Sequence, residues 1–273
     1  MIRRVSALGF FLALAVLKTA DAKPDAVSLD YCADQYVLKL ADDDQILAVS
    51  RGADKDYSYM RIAAKKHSRV RPTREEVFAL EPQIVIRQWG GGANAEAAFS
   101  AFGAEVITLR PASSFDDVID NIRMVATALE QTDRGEEVIK NLRARLALIE
   151  HEKNVSALYV TPGGVTAGSG TMIDAIIAAA GARNKTAERG LHYYPPLSAE
   201  ALLLDPPEFI VAGFFQSRDE GINHWSAARH PAITSTIETI PHVSLSPDLI
   251  SCPAWFAVEA SEKIADAIAE HSP

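Results

Sequence analysis

The chain has few cysteines and lacks basic blocks and low-complexity tracts. Only Cys32 and Cys252 occur among its 273 residues, and 36 acidic against 27 basic side chains give a formal net charge of −9. An acidic chain without a basic patch is a poor partner for nucleic acid or for an anionic membrane surface. Beyond the N-terminal segment, no apolar run is long enough to span a bilayer. We therefore expect neither nucleic-acid binding nor membrane insertion.

The seven histidines show no metal-binding pattern. They are scattered along the chain, and no H-x-H, H-E-x-x-H, Cys/His cluster or D-x-D-x-D loop is present. Ligands from distant loops could still converge in the fold, but the spacing predicts no dedicated metal site.

The first 22 residues have the pattern of a secretory signal peptide. Arg3 and Arg4 precede an apolar core at residues 5–17, and an A-x-A cleavage site follows at 20–22. This core is too short to be a membrane span. We expect residues 1–22 to be removed and the remaining chain to be exported to the periplasm.

The cysteines allow two interpretations. They are either two buried thiols or one disulfide, and an even pair in an oxidising compartment favours the disulfide. Such a bond would close a loop of roughly 220 residues. The chain-entropy model would then assign it about 5 kcal/mol, part of which strain could remove.

Short apolar runs alternate with helical patterns along the chain. Alternating strands and helices predict an α/β fold with mainly parallel sheets. The runs do not alternate between apolar and polar residues, which fits strands that are buried on both faces. The predicted strands lie at residues 26–29, 46–50, 84–86, 106–109, 157–160, 209–212 and 243–245.

A helical stretch without strand signals separates two groups of strands. It has a break near residues 132–135 and is not rich in Gly, Ser or Pro, so the connection is expected to be stiff. We predict two α/β lobes with short sheets, joined by a long rigid helix. The predicted boundaries are 23–113 for the N-terminal lobe, 114–153 for the linking helical segment and 154–273 for the C-terminal lobe.

One sequence unit occurs once in each lobe: PTREEVFALEPQIVI at residues 72–86 and PLSAEALLLDPPEFIV at 196–211. Thr73 and Ser198 are the predicted N-caps of short helices, a proline ends each helix, and an apolar strand follows. Glu76 is expected to complete a capping box with Thr73.

Glu75 and Glu200 occupy the same position in the two units. Both fall in the first turn of a predicted helix. A carboxylate there stabilises the helix by about 0.3–1 kcal/mol through the helix dipole. That role alone could account for both residues.

A glycine-rich loop at residues 162–172 follows the first strand of the second lobe. It lacks the Lys-Ser/Thr pair of a phosphate loop and the G-x-S-x-G of a nucleophile elbow. Its N–H groups, with a helix cap at Ser169 or Thr171, are expected to line a cleft at the end of a strand. The enzymatic alternative is a secreted hydrolase that uses Thr166 or Ser169.

Aromatic residues in loops next to glycines indicate a site for a broad, flat ligand. Any one of them could instead belong to packing between the lobes. The candidate ligand-binding residues are Tyr57, Tyr59, Trp89, Gly90, Gly91, Tyr193, Tyr194 and Trp255.

Taken in order, these segments resemble one family of proteins. The N-terminal VSLDYCADQYVLKLADDDQILAVS, then TREEVFALEPQIVI and the FG-x-EVITL strand, resemble the first lobe of periplasmic solute-binding proteins of ABC importers. SFDDVIDNIRMVATALEQTDRGEEVI resembles their linking helix. GSGTMIDAIIAAAGARN, GLHYYPPLSAEALLLDPPEFIVA and HPAI resemble their second lobe. The likeness is to the class with a helical connection that handles cobalamin, ferric siderophores and haem.

The resemblance implies a receptor without catalytic residues or cofactor. It would be a monomer that holds a metal chelate, cobalamin or a ferric siderophore, between its lobes and delivers it to an ABC importer. The family's docking glutamates fall on Glu75 and Glu200, one for each permease subunit, and its cysteine pair falls on Cys32 and Cys252. A haem receptor, or a zinc or manganese receptor of related fold, is the alternative. Trp255 follows the second cysteine, where many relatives have a tryptophan before it and glycines after it.

Overall fold

A computed structural model of the protein describes residues 23–149, 154–214 and 239–271. The predicted signal peptide, residues 1–22, lies outside these ranges. The strands are β1 (Ala26–Ser28), β2 (Ile46–Ser50), β3 (Arg69–Val70), β4 (Ile84–Arg87), β5 (Glu105–Thr108), β6 (Ser156–Val160), β7 (Arg183–Asn184), β8 (Phe209–Gly213) and β9 (His242–Leu245). The helices are α1 (Tyr31–Leu40), α2 (Arg61–Ala64), α3 (Arg74–Phe78), α4 (Ala95–Ser100), α5 (Phe115–Ala128), α6 (Thr132–Leu148), α7 (Met172–Ala179), α8 (Lys185–Glu188), α9 (Ala199–Leu204), α10 (Pro247–Ile250) and α11 (Ala257–His271).

The strands form two separate parallel sheets. Their orders are β3–β2–β1–β4–β5 and β7–β6–β8–β9, and every strand pairing is parallel. This confirms the predicted α/β fold class. The two-residue strands β3 and β7 at the sheet edges were not predicted, because two residues carry no periodic signal.

Both faces of each sheet are covered. Val27 and Val85 pack with Phe99 of α4 on one face of the first sheet, whereas Ala26 and Ile84 belong to the main apolar cluster on the other face. That cluster continues under the second sheet and includes buried residues of both lobes. Strands that are buried on both sides explain the unbroken apolar runs in the sequence.

Both predicted N-caps of the repeated unit are present. The Thr73 hydroxyl accepts the N–H of Glu76 at 3.4 Å, and the Ser198 hydroxyl accepts the N–H of Ala201 at 3.1 Å. The predicted capping box is wrong. The Glu76 carboxylate accepts the backbone N–H of Arg71 at 2.6 Å and pairs with its guanidinium, because a charge-assisted contact is stronger than a bond to a neutral N–H.

The connection between the lobes is a pair of helices rather than one long helix. Helices α5 and α6 are joined by residues 129–131, where Glu130 has a φ of 54°. They run antiparallel, since Arg123 binds Glu136 at 2.8 Å across the pair. Gly135 lies against Ala126, where a Cβ would be only 2.6 Å from the alanine Cβ. The turn is a few residues earlier than the predicted break.

The C-terminal segment fastens the second lobe to the first. A disulfide joins Cys32 of α1 to Cys252, and the Tyr36 hydroxyl donates to the carbonyl of Pro253 at 2.8 Å. On α6, Arg145 binds Glu262 of α11 at 2.8 Å. Among the helices in the described ranges, none is long and apolar enough to cross a membrane.

Reducing the disulfide should lower the free energy of unfolding by about 2–4 kcal/mol, because the unfolded chain then loses a closed loop of 220 residues. Denaturant titrations with and without a thiol reductant measure this difference. A Cys32→Ser/Cys252→Ser double variant is the control, and its midpoint should not respond to the reductant. Equal midpoints for oxidised and reduced wild-type protein would contradict the stabilising role.

Candidate functional site

The order of strands marks one point on each sheet where a ligand can bind. In the first sheet the chain leaves β1 towards β2 on one side and returns to β4 on the other. In the second sheet, β6 stands in the same relation to β7 and β8. Crevices at the carboxyl ends of such strands are the usual ligand sites of open α/β sheets.

Loops at the carboxyl edges of the two sheets are in contact with each other. The loop after β2 contacts the segment that follows β9: Arg61 pairs with Asp248 at 2.5 Å. From the same loop, the Tyr59 hydroxyl donates to Glu259 at 2.5 Å, and the Tyr59 ring stacks on Phe256 with centroids 4.2 Å apart. Since both partners follow carboxyl ends of strands, the loops of the two sheets meet at one side of the molecule.

A buried carboxylate organises the loop after β4. One oxygen of Asp30 accepts the N–H of Ala33 at 3.0 Å and so caps α1. The other oxygen accepts the N–H groups of Gln88, Trp89 and Gly90 at 2.7, 3.1 and 3.0 Å. The start of α1 and the loop after β4 are therefore held by the same group.

The glycines of this loop have a backbone role. A Cβ at Gly90 would lie 2.5 Å from the carbonyl oxygen of Leu29, so only glycine allows the loop to approach β1 this closely. Gly91 has a φ of 84°, which other residues rarely adopt. Both residues therefore determine where Trp89 lies.

Three aromatic rings cluster at this edge of the first lobe. Tyr31 lies against Tyr57 and Trp89, with ring centroids 4.7 and 5.1 Å apart and edge-to-face geometry. Trp89 remains 47% exposed. The sequence predicted Tyr57 and Trp89 as ligand-binding residues but missed Tyr31, although its position directly after the predicted end of β1 was a usable signal.

On the second lobe, residues 191–197 are clamped onto the glycine-rich loop. Backbone bonds join Ser169 N–H to Leu191 C=O at 3.1 Å, Tyr193 N–H to Ser169 C=O at 2.9 Å and Gly168 N–H to Tyr193 C=O at 2.7 Å. A side chain on Gly168 would clash with the Leu191 carbonyl. The sequence predicted either Ser169 or Thr171 as the cap of the following helix. The cap is Thr171, whose hydroxyl accepts the Asp174 N–H at 3.1 Å.

The clamped loop presents three exposed ring side chains in succession. They belong to His192, Tyr193 and Tyr194, and the two tyrosines are 70% and 57% exposed. Tyr193 has a φ of 57°, a left-handed conformation that is unfavourable for a bulky residue. His192 Nδ1 lies 2.5 Å from the hydroxyl oxygen of Ser169. An exposed, rigid row of rings is a suitable surface for a flat ligand.

Two of the predicted ligand-binding residues lie in the packing between the lobes. Trp255 is only 9% exposed and lies edge-on to Tyr36 and Tyr59, with Lys39 Nζ 5.8 Å from its ring centre. The Tyr59 ring stacks on Phe256, and the Tyr59 hydroxyl donates to Glu259 of α11. Their position supports the inter-lobe role that the sequence left open for any single aromatic residue.

Glu75 and Glu200 are exposed at the beginnings of α3 and α9. Within the residues that the structure describes, neither carboxylate pairs with a cation, whereas neighbouring Glu76 pairs with Arg71 and Asp205 pairs with two cations. The C-terminus of each helix leads to the start of a parallel strand, which lies at the amino edge of the sheet. The N-terminus of the helix therefore lies towards the carboxyl edge. Both exposed carboxylates are therefore near the carboxyl edges of their sheets.

A second buried carboxylate of α1 lies directly under the loops. Asp34 accepts the N–H and O–H of Ser50 at 2.8 and 2.6 Å, and it also accepts the hydroxyl of Ser28. Burial raises the pKa of Asp34 to about 7, against the lowering effect of these hydrogen bonds. Ser28 and Ser50 end β1 and β2, so Asp34 lies at the carboxyl edge of the first sheet.

No group of three or more His, Cys, Asp and Glu side chains in the described ranges is arranged to hold a metal ion. Thr166, one possible hydrolase nucleophile, is 3% exposed, and its hydroxyl lies 2.8 Å from that of Thr186. Within the described residues, the candidate site presents aromatic side chains and hydrogen-bonded backbone loops.

Comparison with known proteins adds independent findings. The model of the family described as "Periplasmic binding protein" matches residues 26–223. A cobalamin-binding protein of Halobacterium salinarum is 25% identical over 264 residues, which cover 91% of this chain and 70% of that relative.

Solved structures share the fold. The periplasmic heme-binding protein RhuT of Roseiflexus sp. RS-1 matches with a TM-score of 0.70 and 21% identity, over 90% of this chain and 100% of that one. The periplasmic vitamin B12 binding protein BtuF of Vibrio cholerae matches with a TM-score of 0.64 and 18% identity, over 91% and 97%. At such identities the likeness establishes the architecture.

The raised pKa of Asp34 predicts a pH-dependent stability. The folded protein binds this proton more tightly than the unfolded chain, so the contribution is fully present below about pH 4 and is lost as the pH rises through about 7. Asp34→Asn keeps the shape of the side chain but not its charge. In this variant the decline of the free energy of unfolding with rising pH, on the order of a few kcal/mol, should therefore be absent. Free energies of unfolding of both proteins between about pH 5 and 8 measure the effect, and parallel curves would contradict it.

Proposed function

The chain belongs to the periplasmic binding protein family, and on that basis we propose that it is an exported receptor that captures a metal chelate and delivers it to an ABC importer. Its relatives are solute-binding proteins, and the cobalamin-binding relative covers most of this chain. Cobalamin or a ferric siderophore is the proposed cargo, with haem as the alternative within the same chemistry. The chelate would bind between the lobes.

One observation supports this proposal most directly: both lobes present exposed aromatic rings at the carboxyl edges of their sheets. On the first lobe the exposed ring is Trp89, which packs against Tyr31, and Tyr31 in turn packs against Tyr57. On the second lobe the exposed rings are Tyr193 and Tyr194. Rings on both walls suit a large flat ligand, since each face of it gains apolar contact. The surfaces are fixed by hydrogen-bonded loops, so little entropy is lost when the ligand binds.

The two free carboxylates supply a plausible contact to the importer. Glu75 and Glu200 occupy equivalent positions on two similar lobes, they are exposed, and the cations near them are used by other carboxylates. We propose that each one binds a cationic side chain on one subunit of a permease dimer. An interaction between exposed charges of this kind weakens as salt is added.

A secreted hydrolase is the second candidate, because the Ser169 hydroxyl lies 2.5 Å from an imidazole nitrogen of His192. A nucleophile and a base need this contact. A third group that orients the base is missing among the described residues, since His192 forms no contact with a carboxylate there. Ester hydrolysis that is lost in Ser169→Ala would favour this candidate over the receptor.

The direct test of ligand capture is absorbance and mass analysis of the protein purified from the periplasm of its native host. We expect an absorbance band of a bound chelate and a non-protein mass that is released on denaturation. Apoprotein that takes up neither cobalamin, ferric siderophore nor haem at micromolar concentration would overturn the proposal.

Trp89→Ala should weaken chelate binding by about tenfold or more, equivalent to about 1.4 kcal/mol, because an exposed ring of the binding surface is removed. Absorbance titration of the apoprotein measures the dissociation constant. Trp255→Phe is the matched control, since that ring is buried between the lobes, and its affinity should stay within about twofold. The opposite ranking of the two variants would contradict the assignment of Trp89.

A Glu75→Ala/Glu200→Ala variant should lose uptake through the importer but bind the chelate normally, because both carboxylates lie outside the aromatic surfaces. Growth that depends on the chelate, together with the dissociation constant, separates the two effects. Glu105→Ala/Glu270→Ala removes the same charge from exposed positions at the opposite ends of the lobes and should transport normally. Normal uptake by the first variant would rule out its docking role.

A further inference from the structure

Asp34 is a fully buried carboxylate whose hydrogen-bond partners end two strands of the first sheet. Its contacts come from neutral donors: the hydroxyl of Ser28, and the N–H and hydroxyl of Ser50 at 2.8 and 2.6 Å. Within the described residues it pairs with no cation. A buried charge without a counterion is costly, so the neutral form of such a group becomes accessible near neutrality.

The charges around Asp34 do not favour its ionised form. Asp30, at the N-cap of the same helix, acts on Asp34 as a like charge, and β1 and β2 present serine side chains to it. Charged side chains on the other elements packed against α1 are exposed or have other partners: Arg61 of α2 pairs with Asp248, Arg87 of β4 donates to the carbonyls of Gly90 and Gly92, and on α5 Asp117 binds Ser113 and Ser114 while Asp116, Asp120 and Arg123 are at the surface.

The contacts of Asp34 extend to the loop after β2. The hydroxyl oxygen of Ser50 accepts the N–H of Gly52 at 3.1 Å. Gly52 packs against two rings of the aromatic cluster, since a Cβ there would lie 3.0 Å from the Cβ of Tyr31 and 3.4 Å from the hydroxyl oxygen of Tyr57. The carboxylate is therefore connected to the ring surface through Ser50 and Gly52.

The other end of this loop is held by the next residue of α1. The side-chain N–H of Gln35 donates to the hydroxyl of Ser58 at 2.9 Å, and its side-chain oxygen accepts the N–H of Met60 at 2.8 Å. Tyr57 lies between the two points of attachment. Because an amide does not titrate, only the attachment through Asp34 can change with pH.

Ionisation changes the strength of that attachment. The ionised carboxylate accepts all its donors, and hydrogen bonds to a charged acceptor are roughly twice as strong as neutral ones. A neutral Asp34 carries a proton of its own, and the oxygens beside it belong to Ser28 and Ser50. Whichever serine accepts this proton, its own hydroxyl proton loses the carboxylate as acceptor. The loop is therefore held more tightly when Asp34 is charged.

We propose that Asp34 is a positioning residue for the ligand surface, and that the receptor binds its chelate more tightly when this carboxylate is ionised. The inference rests on the proposed function. The ionised form holds Gly52 and with it the ring cluster that includes Trp89, whereas the neutral form lets the loop relax, so that a ligand has to order it again. Asp34 is already buried, so a ligand that covers the rings removes little further hydration from it.

The affinity should therefore rise with pH around neutrality. Burial raises the pKa of Asp34 to about 7 in the apoprotein, and the complex, which favours the ionised form, has a lower pKa. The tighter binding is fully present above about pH 7 and is lost as the pH falls through the pKa of the complex. The stability of the whole fold has the opposite dependence, because the folded protein binds this proton more tightly than the unfolded chain. The order of the loop is thus gained at the expense of global stability.

The test measures dissociation constants of the apoprotein for cyanocobalamin, ferric protoporphyrin IX and a ferric trihydroxamate. For a probe that binds, we expect the affinity to be roughly threefold to tenfold weaker at about pH 6 than at about pH 8, the equivalent of one hydrogen bond. Asp34→Asn should lose this difference. The ratio of the two proteins at each pH cancels any titration of the probe itself.

Two further variants separate titration from a purely structural role. Ser28→Ala keeps the carboxylate but removes a hydroxyl that favours its charge, so the midpoint of the pH profile should move to higher pH. Asp117→Asn is the matched control: this carboxylate also accepts serine hydroxyls, but at the start of α5, and its loss should leave the profile unchanged. Thermal unfolding of each apoprotein checks that all of them are folded.

The emission of Trp89 reports the positioning without any ligand. The difference between the fluorescence of the wild-type apoprotein and that of Trp89→Phe isolates this ring. We expect the difference to titrate with a midpoint near pH 7 and to be constant with pH when both proteins also carry Asp34→Asn.

The outcomes distinguish this inference from the proposed function. A chelate bound with the same pH profile by wild-type protein and Asp34→Asn would overturn the positioning role while leaving the receptor intact. If Asp34→Asn does not fold, an unshifted midpoint in Ser28→Ala would overturn it instead. Failure to bind any of the three probes would count against the proposed function, and the Trp89 emission would then still decide whether Asp34 positions the rings.

Discussion

The hydrogen bonds to Asp30 are the constraint on which the proposed binding surface depends. Its buried carboxylate caps α1 through the N–H of Ala33 and holds the loop after β4 through N–H groups of three successive residues. If the carboxylate were removed, the buried N–H groups of Ala33 and Gly90 would be left unpaired, at a cost of about 1–3 kcal/mol each. Tyr31 follows Asp30 directly and Trp89 is one of the donors, so the same group fixes both rings relative to each other.

Much of the architecture could be predicted because its signals are local. Strands buried on both faces appear as apolar runs, and the caps Thr73 and Ser198 appear as hydroxyl residues before an amphipathic turn. The predicted α/β class, both caps and the positions of the seven longer strands agree with the structure. The linking helices were expected from their spacing, but the turn between them depends on a close approach of Gly135 to Ala126, which is not a local signal.

The site was harder to predict because contacts between distant residues decide it. Tyr57 and Tyr59 look equivalent in the sequence, yet the Tyr57 ring packs against Tyr31 and the Tyr59 ring stacks on Phe256, nearly two hundred residues away. Trp255 is buried because Tyr36 and Tyr59, which are distant in the sequence, pack against it. The Ser169–His192 contact depends on two loops being clamped by backbone bonds, which no spacing of residues reveals.

The contacts between the lobes also limit how a ligand can be captured. Moving the lobes relative to each other would disturb the Arg61–Asp248 and Tyr59–Glu259 pairs, which connect them. Breaking partly buried polar pairs leaves charges without partners and is costly. In the proposed receptor, affinity would then come from surfaces that exist before the ligand arrives, which lose little entropy on binding. If Glu75 and Glu200 dock on an importer as proposed, the contacts that hold the lobes together also favour a fixed distance between the two carboxylates.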